Sequence, residues 1–114
     1  MVNVSISHGE VVVSLEGAKK LLALKGKIRI PLKSIKSVSL RQPKWIFLGF
    51  RAGTNLPRVM MAGTFWTGSG KEFYYVRDPN KCVTLTLYGH EYSKVVFQVD
   101  NHEKVASLIS EALR

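Results

Sequence analysis

The chain has 114 residues, of which 46% are hydrophobic and 10% aromatic, a composition that supports one buried core over residues 1–114 and excludes a charge-dominated disordered polymer. Its single cysteine, Cys82, excludes an intramolecular disulfide framework, and no early apolar run is long enough for a signal peptide or a membrane helix. The formal net charge of +9 is unevenly placed, because positions 17–71 hold no Asp or Glu but 12 of the 17 basic residues.

Short apolar or alternating runs between turn signals predict an antiparallel β architecture. Residues 2–6 and 11–15 form the first pair, joined by Ser7, His8, Gly9 and Glu10, with Val11, Val13 and Leu15 on one face. Residues 17–24 carry a short helical spacing, too brief for an independent helix, and are expected to form one helical turn or an irregular crossing. The next strands are expected over 27–32 and 35–41, with Pro31 at a strand edge or exit. Residues 42–58 mix Pro43, Gly49, Gly53, Asn55 and Pro57 with the apolar run 45–50, and suit either a long ordered loop or a bulged strand.

Strands over 59–66 and 72–76 flank the turn signal Thr67, Gly68, Ser69, Gly70 and Lys71. Residues 82–88 follow, where Val83, Leu85 and Leu87 alternate with Thr84 and Thr86 as in a half-buried strand. Val95, Phe97 and Val99 line one face of the last strand. The chain then enters its clearest helix, with Asp100 and Glu103 spaced as a capping box and Val105, Leu108, Ile109 and Ala112 as its apolar stripe.

No catalytic constellation emerges. His8, His90 and His102 form no metal-spaced pair and are expected at exposed structural positions, while Cys82, without a neighbouring histidine, suits an inert buried thiol. The segment 67–71 lacks the glycine spacing and the Ser or Thr after lysine that a phosphate loop needs, since Phe65 and Glu72 occupy those places. No enzyme activity, cofactor or metal is expected.

Two groups of residues remain as candidate sites. Lys25, Lys27 and Arg29 share one face of an extended strand while Ile28 and Ile30 face the core, and Lys19, Lys20 and Lys44 would add to that charge. The group offers an anion site or a solvated face. Trp45, Phe47 and Phe50, with Arg51 closing the run, would form an interaction loop or a buried strand.

The stretch Ile30-Pro31-Leu32-Lys33-Ser34-Ile35-Lys36-Ser37-Val38, the segment from Gly53-Thr54-Asn55-Leu56-Pro57 through Ala62-Gly63-Thr64-Phe65, and Val76-Arg77-Asp78-Pro79 resemble small bacterial pleckstrin-homology-like proteins. The resemblance implies a mainly β (α+β) fold: a partly open barrel of about seven antiparallel strands in two orthogonal sheets, capped by one C-terminal helix. It also implies binding rather than catalysis. Phosphoinositide-binding members carry a basic pattern across the first hairpin, whereas residues 1–16 here contain no Lys or Arg, so that route is not expected. The expected function is a cytoplasmic binding or scaffolding module for a protein partner or a second copy of itself. The alternative is attachment to anionic lipid headgroups at a membrane surface through segment 17–71, with nucleic acid ranked last for want of a recognition motif.

Overall fold

The structure is a computed structural model that describes residues 2–15, 27–40, 61–68, 70–76 and 79–114. The predicted features over 17–24 and 42–58 lie outside the described residues.

The first hairpin forms as expected. Strands β1 (Val2–Ser7) and β2 (Glu10–Leu15) pair antiparallel from Val2↔Leu15 to Ser7↔Glu10. The two turn residues, His8 and Gly9, have φ of 53° and 77°, as the type I′ turn that matches strand twist requires. β3 (Lys27–Pro31) adds to the other side of β2, with Val11 opposite Ile30 and Val13 opposite Ile28. These four side chains are buried, while Lys27 and Arg29 face outward, so the predicted alternation holds here.

After Pro31 the chain turns a corner through a short 3-10 turn, Leu32–Ser34, and becomes β4 (Ile35–Ser39) of a second sheet. Both sides of the corner are fastened: Leu32 N–H donates to the Gly9 carbonyl at 2.9 Å, and Tyr88 N–H donates to the Ser34 carbonyl at 2.9 Å. The second sheet contains β5 (Met61–Thr67), β6 (Gly70–Val76), β7 (Cys82–Leu87) and β8 (Lys94–Gln98), in the spatial order β4-β7-β8-β6-β5.

This topology corrects three expectations. The strand count, eight in one sheet of three and one of five, agrees with the expected number of about seven, but among the described residues the sheets are not closed into a barrel. The strands are not all antiparallel, because β8 lies between the consecutive strands β6 and β7, antiparallel to β7 and parallel to β6. Finally, β7 is not half-buried. Along β6, β7 and β8 one row of side chains, including Phe73, Tyr75, Val83, Leu85, Val95 and Phe97, enters the core against Val11, Val13, Ile28 and Ile30. The opposite row, Glu72, Tyr74, Val76, Cys82, Thr84 and Val96, is buried too. Central strands read as near-continuous buried runs, and here Thr84 and Tyr74 disguise that pattern. Cys82 is a buried free thiol, as expected.

The helix α1 (His102–Ala112) packs on β4 and β7. Its buried residues are Val105, Ala106 and Ile109, whereas Leu108 is 51% exposed. At about 100° per residue, the inward direction falls between Val105, Ile109 and Ala106, which turns Leu108 away from the sheet. The predicted stripe was therefore displaced toward Ala106. The N-cap is Asn101 without a side-chain cap bond, so the predicted Asp100–Glu103 capping box does not form. Glu103 still lies in the first turn, where its charge opposes the helix dipole.

Candidate functional site

Along the end of the two sheets the structure assembles a continuous strip of basic and aromatic side chains. It starts at β3, where Arg29 Nη1 donates to Glu10 Oε1 at 3.0 Å. The pairing follows from register: Glu10 is opposite Pro31, and Arg29 is the next residue on the same face. Arg29 also contributes its backbone carbonyl, which His90 Nε2 reaches at 3.1 Å.

His90 is fixed by this contact and by a second one. The Tyr92 N–H donates to His90 Nδ1 at 3.1 Å, so Nδ1 acts as an acceptor and Nε2–H is the donor to Arg29. Both ring nitrogens are engaged by backbone, and the imidazole joins the β7–β8 connection to β3. The expectation of an exposed His90 is corrected accordingly, as is that of His102, which is only partly exposed and has a buried Nδ1; His8 is exposed in its turn.

Tyr92 lies beneath the strip, 2% exposed, with its ring 6.1 Å from that of His90 and edge-on to Phe73 at 5.8 Å. Above it is Lys71, whose Nζ lies 5.2 Å from the Tyr92 ring centroid and 5.7 Å from that of Trp66. The Lys71 ammonium also donates to Glu91 Oε2 at 2.8 Å. That hydrogen bond, reinforced by the Glu91 charge, outweighs partial desolvation and holds the ammonium above the ordinary lysine value of 10.5.

Local sequence explains these positions. Trp66 and Lys71 are cross-strand partners, one register step beyond Thr64↔Phe73, on the face that carries Phe73 and Tyr75 inward. At the hairpin tip that face runs out of core, and Trp66 is left 77% exposed. The tip is tighter than the predicted 67–71 turn, since pairing continues to Thr67↔Gly70. The β7–β8 connection is held against it by Ser93, whose N–H donates to the Lys71 carbonyl at 2.8 Å, and Gly89 supplies a positive φ of 65° in the turn. Tyr88, 57% exposed, stands on the same connection.

Of the predicted basic site, Lys27 and Arg29 are described and both are exposed on one face of β3. Lys19, Lys20, Lys25 and Lys44 lie outside the described residues, as do Trp45, Phe47, Phe50 and Arg51 of the predicted interaction loop. Segment 17–71 lacks acids, but Glu10 and Glu91 reach into the strip from either side of it, so its two central cations, Arg29 and Lys71, are ion-paired. Sequence reasoning did not find the Trp66–Lys71–Tyr92–His90 arrangement. The hairpin signal was the available pointer, because it places position 66 opposite 71 if the turn is two residues long.

His90 has both nitrogens occupied, Lys71 is held as an ammonium, and among the described residues no group of three or more His, Cys, Asp or Glu could hold a metal ion. No helix of the described residues is long and apolar enough to cross a membrane. In comparisons with known proteins, no family model, no curated protein and no solved structure matches the chain.

Proposed function

We propose that the protein is a non-enzymatic binding module that docks a protein partner, with Trp66 as its anchor. The observation that carries this conclusion is the 77% exposure of Trp66 at a position held by Lys71. A large aromatic ring in water leaves apolar area to be buried on contact, and a ring already restrained by a neighbouring cation loses less freedom when a partner orders it. Tryptophan is enriched among the residues that dominate binding energy, and a strip whose cations are already paired suits a neutral, partly apolar surface.

The pleckstrin-homology-like kinship belongs to this proposal. It draws support from the three sequence stretches and from the two-sheet arrangement with a C-terminal helix, while the parallel β6–β8 pair departs from an antiparallel barrel. Anionic lipid headgroups are the weaker alternative, because Arg29 and Lys71 already hold carboxylate partners.

The test is quantitative cross-linking capture with the wild-type chain, Trp66→Ala and Lys27→Glu. At least one protein should be captured by the wild type and by Lys27→Glu, and lost about 30-fold or more with Trp66→Ala, the change expected from a binding hot spot of about 2 kcal/mol. A capture profile untouched by Trp66→Ala, with the fold intact by circular dichroism, refutes the anchor. Capture lost with Lys27→Glu and restored by lowering salt would favour the anionic alternative.

A further inference from the structure

The two outer strands of the three-stranded sheet are treated very differently by the sequence. β3 carries outward Lys27 and Arg29 and ends on Pro31, the features with which proteins guard an edge against further pairing. β1 has none of them. Its six residues, Val2–Ser7, include no charge and no proline, its register against β2 is unbroken, and among the described residues β2 is its one neighbour.

Turn geometry determines which backbone groups of β1 face outward. A two-residue turn closes on a hydrogen-bonded pair, here Ser7↔Glu10, so Ser7, Ser5 and Asn3 direct their N–H and C=O groups toward β2. The N–H and C=O groups at positions 2, 4 and 6 then point away from the sheet. Val4 and Ile6 belong to the core-facing row, since Val4 is opposite Val13 and Ile6 opposite Val11, yet Ile6 remains 36% exposed at the rim.

We infer that β1 is the pairing edge for a second copy of this chain, joined antiparallel about a two-fold axis through Val4. In that register Val4 lies opposite Val4 of the partner subunit, and Ile6 opposite Val2 of the partner subunit. All outward backbone groups at positions 2, 4 and 6 find partners. The core-facing row stays apolar across the junction, Ile6 is covered, and Asn3 and Ser5 meet on the polar face. The two sheets become one sheet of six strands.

The strand is its own complement, which favours a second copy over an unrelated peptide that must first be ordered. Net charge does not forbid the pairing. Lys27 and Arg29 are two strands from the junction, about 10 Å, beyond the screening length of about 8 Å at physiological salt. A single strand pair buries less than the roughly 1,200 Å² of a standard interface, so the dimer is weak and concentration-dependent, with Kd on the order of 10 to 100 μM.

Sedimentation of the full chain at physiological salt, from about 10 μM to about 1 mM, should show the mass rising from 12.8 kDa toward a dimer. Ile6→Pro removes an outward N–H, and Ser5→Lys places a charge on an exposed edge position; each should return the protein to monomer with its circular dichroism unchanged. If Ile6→Pro fails to fold, Ser5→Lys decides. Val4→Cys should give a disulfide-linked dimer on mild oxidation, because directly opposed residues of such a pair lie about 5.5 Å apart at Cα, and the native Cys82 is buried. A strict monomer at the highest concentration overturns the inference. So does a dimer that persists in Ser5→Lys and is not captured by Val4→Cys.

Discussion

Two neighbouring residues of α1 offer a direct measurement of which face of the helix the core uses. Ile109 is fully buried in the cluster between the sheets and the helix, whereas Leu108 is 51% exposed. Truncating a buried isoleucine to alanine removes its transfer energy and leaves a cavity, typically at a cost of about 2 to 5 kcal/mol. For Leu108→Ala no closed cavity forms, and about half of the side chain's 1.5 to 3 kcal/mol burial energy is at stake, or about 1 kcal/mol. With a urea m-value of about 1.5 kcal/mol/M, Ile109→Ala should lower the unfolding midpoint by about 2 M and Leu108→Ala by about 0.7 M, with unchanged slopes. Chemical denaturation followed by far-UV circular dichroism measures both. Equal shifts, or a larger one for Leu108→Ala, would refute the orientation of α1 and restore the stripe predicted from sequence spacing.

Two further outcomes follow from the strip and from the second buried row. Lys71 has a folded pKa raised by Glu91, so its contribution is complete below the unfolded value of 10.5 and is lost as pH rises through the higher folded value. Carbon NMR titration of the lysine side chains should show Lys71 unchanged between pH 6 and pH 9, with a midpoint above 10.5 that falls in Glu91→Gln; a midpoint below 10.5 would contradict the contact. Tyr74→Phe deletes the hydroxyl that donates to the buried Glu72 carboxylate at 2.6 Å and should destabilise the protein by about 1.5 to 3 kcal/mol, whereas a change below about 0.5 kcal/mol in thermal unfolding would mean that the bond contributes little.

Local signals were legible in the sequence where geometry is local. The first hairpin follows from the β-branched alternation of residues 2–6 and 11–15 around His8 and Gly9, and α1 from its periodic apolar residues. The outward Lys27 and Arg29 follow from strand parity alone. The sequence failed where neighbours are distant in the chain. Thr84 reads as the polar side of a half-buried strand, and nothing in its flanks announces that a second face is covered. The ion pair of Arg29 with Glu10 spans 19 positions, and the His90 bridge to the Arg29 carbonyl spans 61. Both depend on strand order, which alternation does not encode. The insertion of β8 beside β6 is hidden for the same reason: periodicity identifies a strand without specifying its neighbours.

That insertion constrains how the chain can fold as it emerges during synthesis. β6 and β7 are consecutive and antiparallel, the arrangement that ordinarily zips into a hairpin at once, yet in the finished sheet β8 stands between them, and it leaves the ribosome last of the three. A prematurely closed β6–β7 hairpin would have to reopen before Val95 and Phe97 could take their places. In the finished sheet the two strands stand two ladder spacings apart, about 10 Å, with the short Pro79–Lys81 turn leading into β7. The β7–β8 hairpin can form first and then slot in as a unit against β6, so that the sheet is completed by the capture of a wedge rather than by the growth of an edge.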